Sequence, residues 1–332
     1  MKKIVAAAFV VLLLTIVFVP AVSAHSPVFS EGNDTLESAH QINDPEKSWV
    51  MYGHLQEGES DYYKMNIEEG QTISLKMIIP PEYFNSGFIP EMTLIGPGLP
   101  SDGLELTADF PDDGAITVEG TKVSSPEYEP FTPSASYTVA ELEIKAPQSG
   151  EYYIQIFDNE HVSGNYGLTI GERESFTLKE WLTIPLNSIK IYHWEGQSVL
   201  EIFTVAIITF AGGLAIMLLR KTPEKNRLWI LATIGGLLLI ASGFSFLYQM
   251  IWSLVQSGID TMVWVTPIFI AIPIILGLLA IRTSEKKFSK RTRLYLFLIG
   301  ITSLFLWGGW IIGPIMLMVS ALLPKKWLLH NF

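Results

Sequence analysis

The first half of the chain alternates apolar and polar positions. Ile73, Leu75, Met77 and Ile79 lie on one face of a two-residue period, which predicts a half-buried β-strand. Similar short segments, separated by Gly, Pro, Asn and Asp, recur as far as residue 170: 49–55, 61–67, 92–95, 115–119, 137–145, 151–157 and 165–170. Many short strands at this spacing predict an all-β sandwich over residues 25–175.

The second half is almost continuously apolar. Residues 198–332 contain four stretches that are each long enough to cross a bilayer core as a helix: 199–219, 228–254, 261–281 and 294–323. The pattern predicts an all-α transmembrane bundle of about four helices. The last stretch includes Gly308, Gly309 and Pro314, so it either spans in a tilted or kinked form or turns back as a re-entrant hairpin.

Residues 176–197 connect the two halves. Thr177 and Glu180 have the spacing of a helix capping box, and Pro185 is expected to stop the turn that they open. Aromatic side chains such as Trp181 and Trp194 prefer the headgroup layer of a membrane. We therefore expect a short interfacial connector, and we interpret Glu195 as part of that anchor.

The N-terminus has the pattern of an export signal. Lys2 and Lys3 precede an apolar run over residues 4–19, and small residues lead up to Ala24. This predicts a signal peptide over residues 1–24, with His25 as the first residue of the mature chain.

A mature N-terminal histidine has chelating chemistry of its own. Its α-amine and its imidazole can chelate one Cu(II) ion between them. Exported copper proteins with a histidine brace have a similar N-terminal residue. Such a site needs a second ligand, for which His40, His54 and His161 are available without any spacing that selects one. His25 is therefore the candidate metal ligand and copper the candidate cofactor, and the alternative is a flexible chain end.

Loop charges predict the orientation. Basic residues fill the loops 220–227 and 282–293, whereas the loop 255–260 has none. Because positive loops stay in the cytoplasm, we expect a multi-pass protein of the cell membrane with its N-terminal domain extracytoplasmic. Four full spans would place the C-terminus outside, against the charge of Lys325 and Lys326, and a re-entrant last segment would remove that conflict.

Composition excludes several classes of function. Residues 25–197 carry 29 Asp and Glu against 8 Lys and Arg, which excludes nucleic-acid binding by repulsion of phosphates. The chain has no cysteine, which excludes disulfides and thiolate metal sites. No Asp, Glu, Lys, Arg or His occurs within 202–219, 229–254, 261–281 or 294–323, which argues against ion-coupled transport. No G-x-S-x-G, H-E-x-x-H or phosphate-loop motif occurs, so we expect no enzymatic activity.

Turn and strand motifs in the first half resemble a known domain. They are Asn33-Asp34-Thr35, Gly58-Glu59-x-Asp61-Tyr62-Tyr63, Gly150-Glu151-Tyr152-Tyr153-Ile154 and Gly164-Asn165-Tyr166-Gly167-Leu168. In this order they are similar to pre-peptidase C-terminal (PPC-like) domains. The resemblance implies a small, exported, non-catalytic β-sandwich of the kind appended to proteases and other secreted proteins. It does not extend to the membrane half, and it departs from the pattern in a long insertion over residues 80–147.

The insertion is rich in proline and aromatic residues. They provide either a recognition surface for a glycan, peptide or partner subunit, or a layer that packs the loops onto the sandwich. The sequence thus predicts a membrane-anchored cell-surface β-sandwich with a binding or accessory role, lying in the lipid bilayer. The alternatives are a copper-handling protein and an accessory subunit of a membrane enzyme complex, held through small residues such as Ala232 and Gly236.

Overall fold

The computed structural model describes residues 25–100, 114–220, 226–259, 261–287 and 289–328. The predicted signal peptide lies outside these ranges. Within them the strands are β1 (Ser26–Phe29), β2 (His40–Ile42), β3 (Trp49–Leu55), β4 (Ser60–Ile67), β5 (Thr72–Ile79), β6 (Glu91–Gly96), β7 (Gly114–Val118), β8 (Glu127–Glu129), β9 (Ser134–Lys145), β10 (Gly150–Phe157) and β11 (Gly164–Ile170). The helices are α1 (Pro81–Asn85), α2 (Leu178–Trp194), α3 (Val199–Leu219), α4 (Arg227–Ser257), α5 (Thr266–Ser284), α6 (Lys290–Leu304), α7 (Ile312–Leu322) and α8 (Lys325–Leu328).

The strands form two sheets that enclose one apolar core. One sheet has the order β1-β3-β11-β5-β9-β8 and the other has the order β2-β4-β10-β6-β7. The predicted inward face of β5 is confirmed, because Ile73, Leu75, Met77 and Ile79 are all buried in that core. The alternate positions Ser74, Lys76 and Ile78 therefore point to the outer face of the six-stranded sheet.

Among the described residues, three helices are long and apolar enough to cross a membrane: α3, α4 and the segment that ends with α5. Helix α4 packs closely against its neighbours at small residues. A side chain at Gly236 would meet the Gly277 oxygen at 2.8 Å, and one at Gly235 would meet the Gly313 oxygen at 3.0 Å. Small residues therefore let the helix backbones approach within this chain.

The last apolar stretch is a helical hairpin, not a fourth long helix. Helix α6 ends at Leu304 and α7 runs back beside it, so that a side chain at Gly300 would meet the Pro314 oxygen and Met318. The break lies at Trp307 and Ile311, which have positive φ angles of 50° and 67° that cannot continue a helix. Gly309 within the turn donates its N–H to the Ser242 hydroxyl of α4 at 2.7 Å.

The connector is one 17-residue helix, α2, and the expectation that Pro185 stops it is wrong. The predicted capping box of Thr177 and Glu180 is confirmed. Pro185 removes the N–H that would bond to the Trp181 oxygen one turn earlier, and that oxygen accepts instead from the indole N–H of Trp307 at 3.0 Å. A contact from the hairpin turn therefore compensates for the missing helical bond.

Basic residues gather at the end of the helices that lies far from the sandwich. Arg220 and Glu285 form an ion pair at 3.0 Å, and the Arg227 guanidinium lies 4.7 Å from the ring centre of Trp327. Arg293 donates to the Ala321 oxygen, which joins the start of α6 to the end of α7. The described residues of the two basic loops and the segment with Lys325 and Lys326 thus share one end of the bundle.

A cavity between the sandwich and the helices

The hairpin of β8 and β9 contacts the start of α5. Tyr128 and Thr266 share a hydrogen bond between their hydroxyls at 2.6 Å, and the Thr266 hydroxyl donates to the Pro130 oxygen at 2.9 Å. The rings of Phe131 and Phe269 meet edge to face at 5.6 Å. The sandwich is therefore packed against the helices by both polar and aromatic contacts.

The end of α2 makes a second junction. The Trp194 indole donates to the Tyr166 oxygen at 3.0 Å, and the Asn165 amide donates to the Trp194 oxygen at 2.7 Å. The chain then turns at Gly196, whose φ is +99° and where any side chain would overlap the Glu82 carboxylate. Glycine is required here by both the backbone angle and the space.

A buried amide pair ties this turn to the helical half. Gln197 and Gln249 exchange hydrogen bonds of 2.8 and 2.9 Å between their side chains. Both residues are at most 2% exposed. Each amide thus satisfies the other in a place that water does not reach.

These junctions leave a cavity of about 1220 Å³ between the two halves, which we call the junctional cavity. Its walls are the outer face of the six-stranded sheet, the β8–β9 hairpin, one face of α2, the start of α5 and the turn after α6. Each wall has a distinct chemistry.

The sheet wall is rich in hydroxyl groups and the helix wall is aromatic. Ser134, Ser136, Thr138 and Thr169 line the sheet side with their hydroxyl groups. The opposite side is lined by Trp181, Phe269, Phe305, Leu306 and Trp307. A ligand that fills the space therefore meets polar groups at one end and apolar rings at the other.

Glu129 lines the cavity from the β8–β9 hairpin. Its carboxylate accepts the Phe131 N–H at 3.0 Å. Its pKa is raised to about 7, mainly by burial; the nearby charge of Glu174 adds to the increase, and the hydrogen bond from Phe131 opposes it. This carboxyl group therefore takes up a proton more readily than an exposed glutamate does.

Glu195 is a second carboxyl group at the junction, and it is only 5% exposed. One oxygen accepts the Ala135 N–H at 2.8 Å, and the other has no hydrogen-bond partner in the part of the chain that the structure describes. Burial raises its pKa to about 8, and burial also raises the pKa of the neighbouring Tyr192, whose hydroxyl is likewise unpartnered there. Glu195 is therefore mostly protonated at pH 7.

His25, the candidate copper ligand, lies in the same cavity. Its Nδ1 is in hydrogen-bond contact with the Ser48 hydroxyl. Burial lowers its pKa to about 4, and the charge of Lys76 adds to the effect, so the imidazole is neutral at pH 7. It is the one imidazole among the described residues that lines this cavity.

The other candidate copper ligands lie elsewhere. His40 is in β2 of the opposite sheet, His54 contacts Asn165 at 2.6 Å, and His161 lies in the turn after β10. The described residues contain no group of three or more potential ligand side chains. Copper binding at His25 stays a prediction.

Aromatic residues of the insertion pack inward. Phe88 is fully buried in the sandwich core, and Phe84 stacks on Tyr137 at 3.8 Å. Tyr128 and Phe131 instead reach the helical half, as described above. The predicted packing role fits these residues, whereas Phe110 lies outside the described ranges.

Sequence reasoning missed Glu129 and did not anticipate the environment of Glu195. Both lie in an acidic half of the chain, where a carboxylate is normally solvated. The available signal was local: Glu129 is followed by Pro130-Phe131, and Glu195 follows Trp194. Carboxyl groups placed beside aromatic residues at a junction are candidates for burial.

Comparison with known proteins finds similarity in solved structures alone, since no protein-family model and no curated protein matches the chain. A periplasmic inhibitor of g-type lysozyme from Salmonella Typhimurium is 17% identical, with a TM-score of 0.23, over 40% of this chain and 98% of its own. The inhibitor from Aeromonas hydrophila is 14% identical, with a TM-score of 0.24, over 45% and 98%.

The pre-peptidase C-terminal domain of a collagenase from Bacillus anthracis is also among these structures. It is 14% identical, with a TM-score of 0.22, over 39% of this chain and 91% of its own. The similarity concerns the fold and transfers no role to this chain. A pre-peptidase C-terminal domain, the kind of domain that the turn and strand motifs resemble, is thus among the solved structures similar to this chain. The first half of the chain is a β-sandwich of two sheets around one core.

Proposed function

We propose that this chain is a multi-pass protein of the cell membrane whose extracytoplasmic β-sandwich binds a ligand in the junctional cavity without catalysing a reaction. The cavity itself carries the proposal. It is large, it is lined by both polar and apolar groups, and the sandwich and the helices build it together.

The distribution of charge supports the orientation. The basic loops and Lys325-Lys326 lie at one end of the apolar helices, and the acidic sandwich lies at the other. Because basic segments stay in the cytoplasm, the sandwich faces outward. The hairpin of α6 and α7 is consistent with this arrangement, since it keeps the basic C-terminal segment at the same end as the basic loops.

The chemistry of the cavity favours binding over catalysis. The contact between Ser48 and His25 is the arrangement nearest to a nucleophile and its base among the lining residues. A general base works best when its pKa is near the working pH, and the His25 pKa of about 4 makes it a weak base toward the hydroxyl.

Cysteine labelling tests the orientation cleanly, because the natural chain has no cysteine. Glu57 is an exposed turn residue of the sandwich, and Lys286 is exposed in a basic loop. We expect Glu57→Cys to react with a membrane-impermeant maleimide in intact cells. We expect Lys286→Cys to react only after the membrane is permeabilised. The opposite pattern would contradict the proposed placement.

A further inference from the structure

The helix wall of the junctional cavity lies at the level of a membrane surface. Phe269 is in the first turn of α5, and Phe305 and Trp307 are in the turn between α6 and α7. These positions are the sandwich-side ends of apolar helices. If the proposed placement holds, on which this inference rests, the aromatic wall lies at the boundary between water and lipid.

Helix α2 separates the cavity from that lipid. Trp181, Ile184 and Ile191 on one face line the cavity. On another face Leu178, Leu182 and Leu186, spaced four residues apart, are 73%, 41% and 64% exposed. A helix with an exposed apolar face of this kind lies in the plane of the membrane interface.

The cavity has an edge that opens beside this helix. Phe176 and Phe305 both line the cavity and are both exposed, at 37% and 58%. Apolar side chains at an opening next to an interfacial helix favour entry from the bilayer over entry from water. The source of the ligand is therefore the membrane.

The charges of the lining select the head group. Four carboxyl groups line the cavity within the described ranges: Glu127, Glu129, Glu172 and Glu174. Against them, the same described lining contains one lysine, Lys76, and one histidine, His25. This balance attracts a cation and repels a phosphate or carboxylate that carries net negative charge.

The cavity has room for a chain as well as a head group. Pockets for drug-sized molecules occupy roughly 300–1,000 Å³, and this one is larger, at about 1220 Å³. From these observations we propose that the junctional cavity binds a membrane lipid with an amine-bearing, cationic head group. Its head contacts Glu129 and the hydroxyl-rich sheet wall, and its chain lies among Trp181, Phe269 and Trp307.

Tryptophan quenching measures this binding directly, because Trp181 and Trp307 line the apolar end. The full chain is placed in phosphatidylcholine nanodiscs and titrated with a long-chain primary amine brominated at its tail. A fatty acid with the same brominated chain is the matched probe of opposite charge. We expect saturable quenching by the amine and at least about tenfold weaker binding of the acid, since one lost ion pair in a partly desolvated site is worth about that factor.

Three variants locate the site. Glu129→Gln removes one cavity charge and is expected to weaken amine binding about tenfold. Ser136→Phe places a ring in the cavity and is expected to abolish the saturable component. Glu57→Gln removes an exposed carboxylate remote from the cavity and is expected to change nothing. Equal quenching in all three variants, or equal binding of amine and acid, would overturn the proposal.

The membrane source has its own measurement. Lipids that remain bound to the protein after mild extraction from cell membranes are identified by mass spectrometry for the natural chain and for Ser136→Phe. We expect an amine-headed lipid to be enriched with the natural chain alone, and equal lipid content in both would reject the proposal. If no amine-headed lipid is enriched but the cysteine labelling gives the expected pattern, the lipid proposal is rejected and the proposed orientation stands.

Discussion

The indole N–H of Trp307 donates to the backbone oxygen of Trp181 at 3.0 Å, and this is the oxygen that Pro185 leaves without its helical partner. Two features that each look unfavourable alone thus compensate for one another. The proline opens a hydrogen-bonding position in α2, and the strained turn between α6 and α7 supplies the donor. The contact fixes the aromatic wall of the junctional cavity.

Removal of this donor should loosen that wall. We expect Trp307→Phe to lower the free energy of unfolding by about 1 kcal/mol, because the Trp181 oxygen loses its hydrogen bond. Thermal unfolding in one detergent measures the change, and Trp264→Phe, at a position that is 77% exposed, is the matched control. In a Pro185→Ala background the alanine N–H can bond to Trp181, so the same substitution should cost less. An equal cost in both backgrounds would contradict the compensation.

Burial of Glu195 predicts a pH dependence of stability. Its pKa is raised from 4.5 to about 8 in the folded protein. Between these values the unfolded chain ionises while the folded chain stays protonated, so the unfolded state binds fewer protons and stability falls as the pH rises from about 4.5 to 8. Glu195→Gln keeps an acceptor for Ala135 and cannot ionise.

The melting temperature of the natural chain should therefore fall relative to that of Glu195→Gln as the pH is raised from 5 to 8. Glu129 also has a raised pKa, but it is present in both proteins and cancels in the difference. The exposed Glu69→Gln variant should show no such trend. A constant difference between the natural chain and Glu195→Gln at every pH would show that Glu195 ionises normally.

The amide pair of Gln197 and Gln249 predicts a non-additive pair of mutations. Gln249→Leu leaves the Gln197 amide buried and unpaired, and we expect a loss of about 1–3 kcal/mol in stability, as for any unsatisfied buried polar group. Gln197→Leu should cause a similar loss of stability. The double variant should lose less stability than the two single variants added together. Denaturant titration of the four proteins measures the coupling, with Gln256→Leu as a control in the same helix. Additive losses would indicate that the two amides act independently.

The hairpin predicts the location of the C-terminal segment. Lys326 lies at the end of the bundle that carries the basic loops, and it is exposed. A cysteine at Lys326 should therefore be protected from an impermeant maleimide in intact cells, like one at Lys286. Labelling of Lys326→Cys from outside would mean that residues 294–323 cross the membrane once in full.

The local patterns predicted the elements well where each residue's environment follows from its neighbours. The alternation at Ile73, Leu75, Met77 and Ile79 specified a strand face, and long apolar runs specified the helices α3 and α4. Both signals are periodicities that a sheet or a helix imposes on the chain itself. These periodicities therefore do not depend on contacts with distant parts of the chain.

The site could not be predicted in the same way, because its properties come from contacts distant in sequence. From its neighbours alone, Pro185 is expected to end a helix. The helix continues because the indole N–H of Trp307 takes the place of the missing backbone donor, and Trp307 lies 122 positions later in the chain. From its neighbours alone, Glu195 is expected to be solvated. It is buried because strand β9, which contains Ala135, lies over it. Neither partner is visible from the local sequence.

The covering of one sheet has a consequence for any large partner. The outer face of the six-stranded sheet is occupied by α2, the helix ends and the cavity, so it is sterically closed to another folded protein. Within the described ranges, the outward positions of the five-stranded sheet include Glu151, Tyr153 and Gln155 of β10, which lie beside Asn66, Lys64 and Tyr62 of β4. A small ligand can therefore reach the outer face of the six-stranded sheet through the cavity, whereas a folded protein cannot.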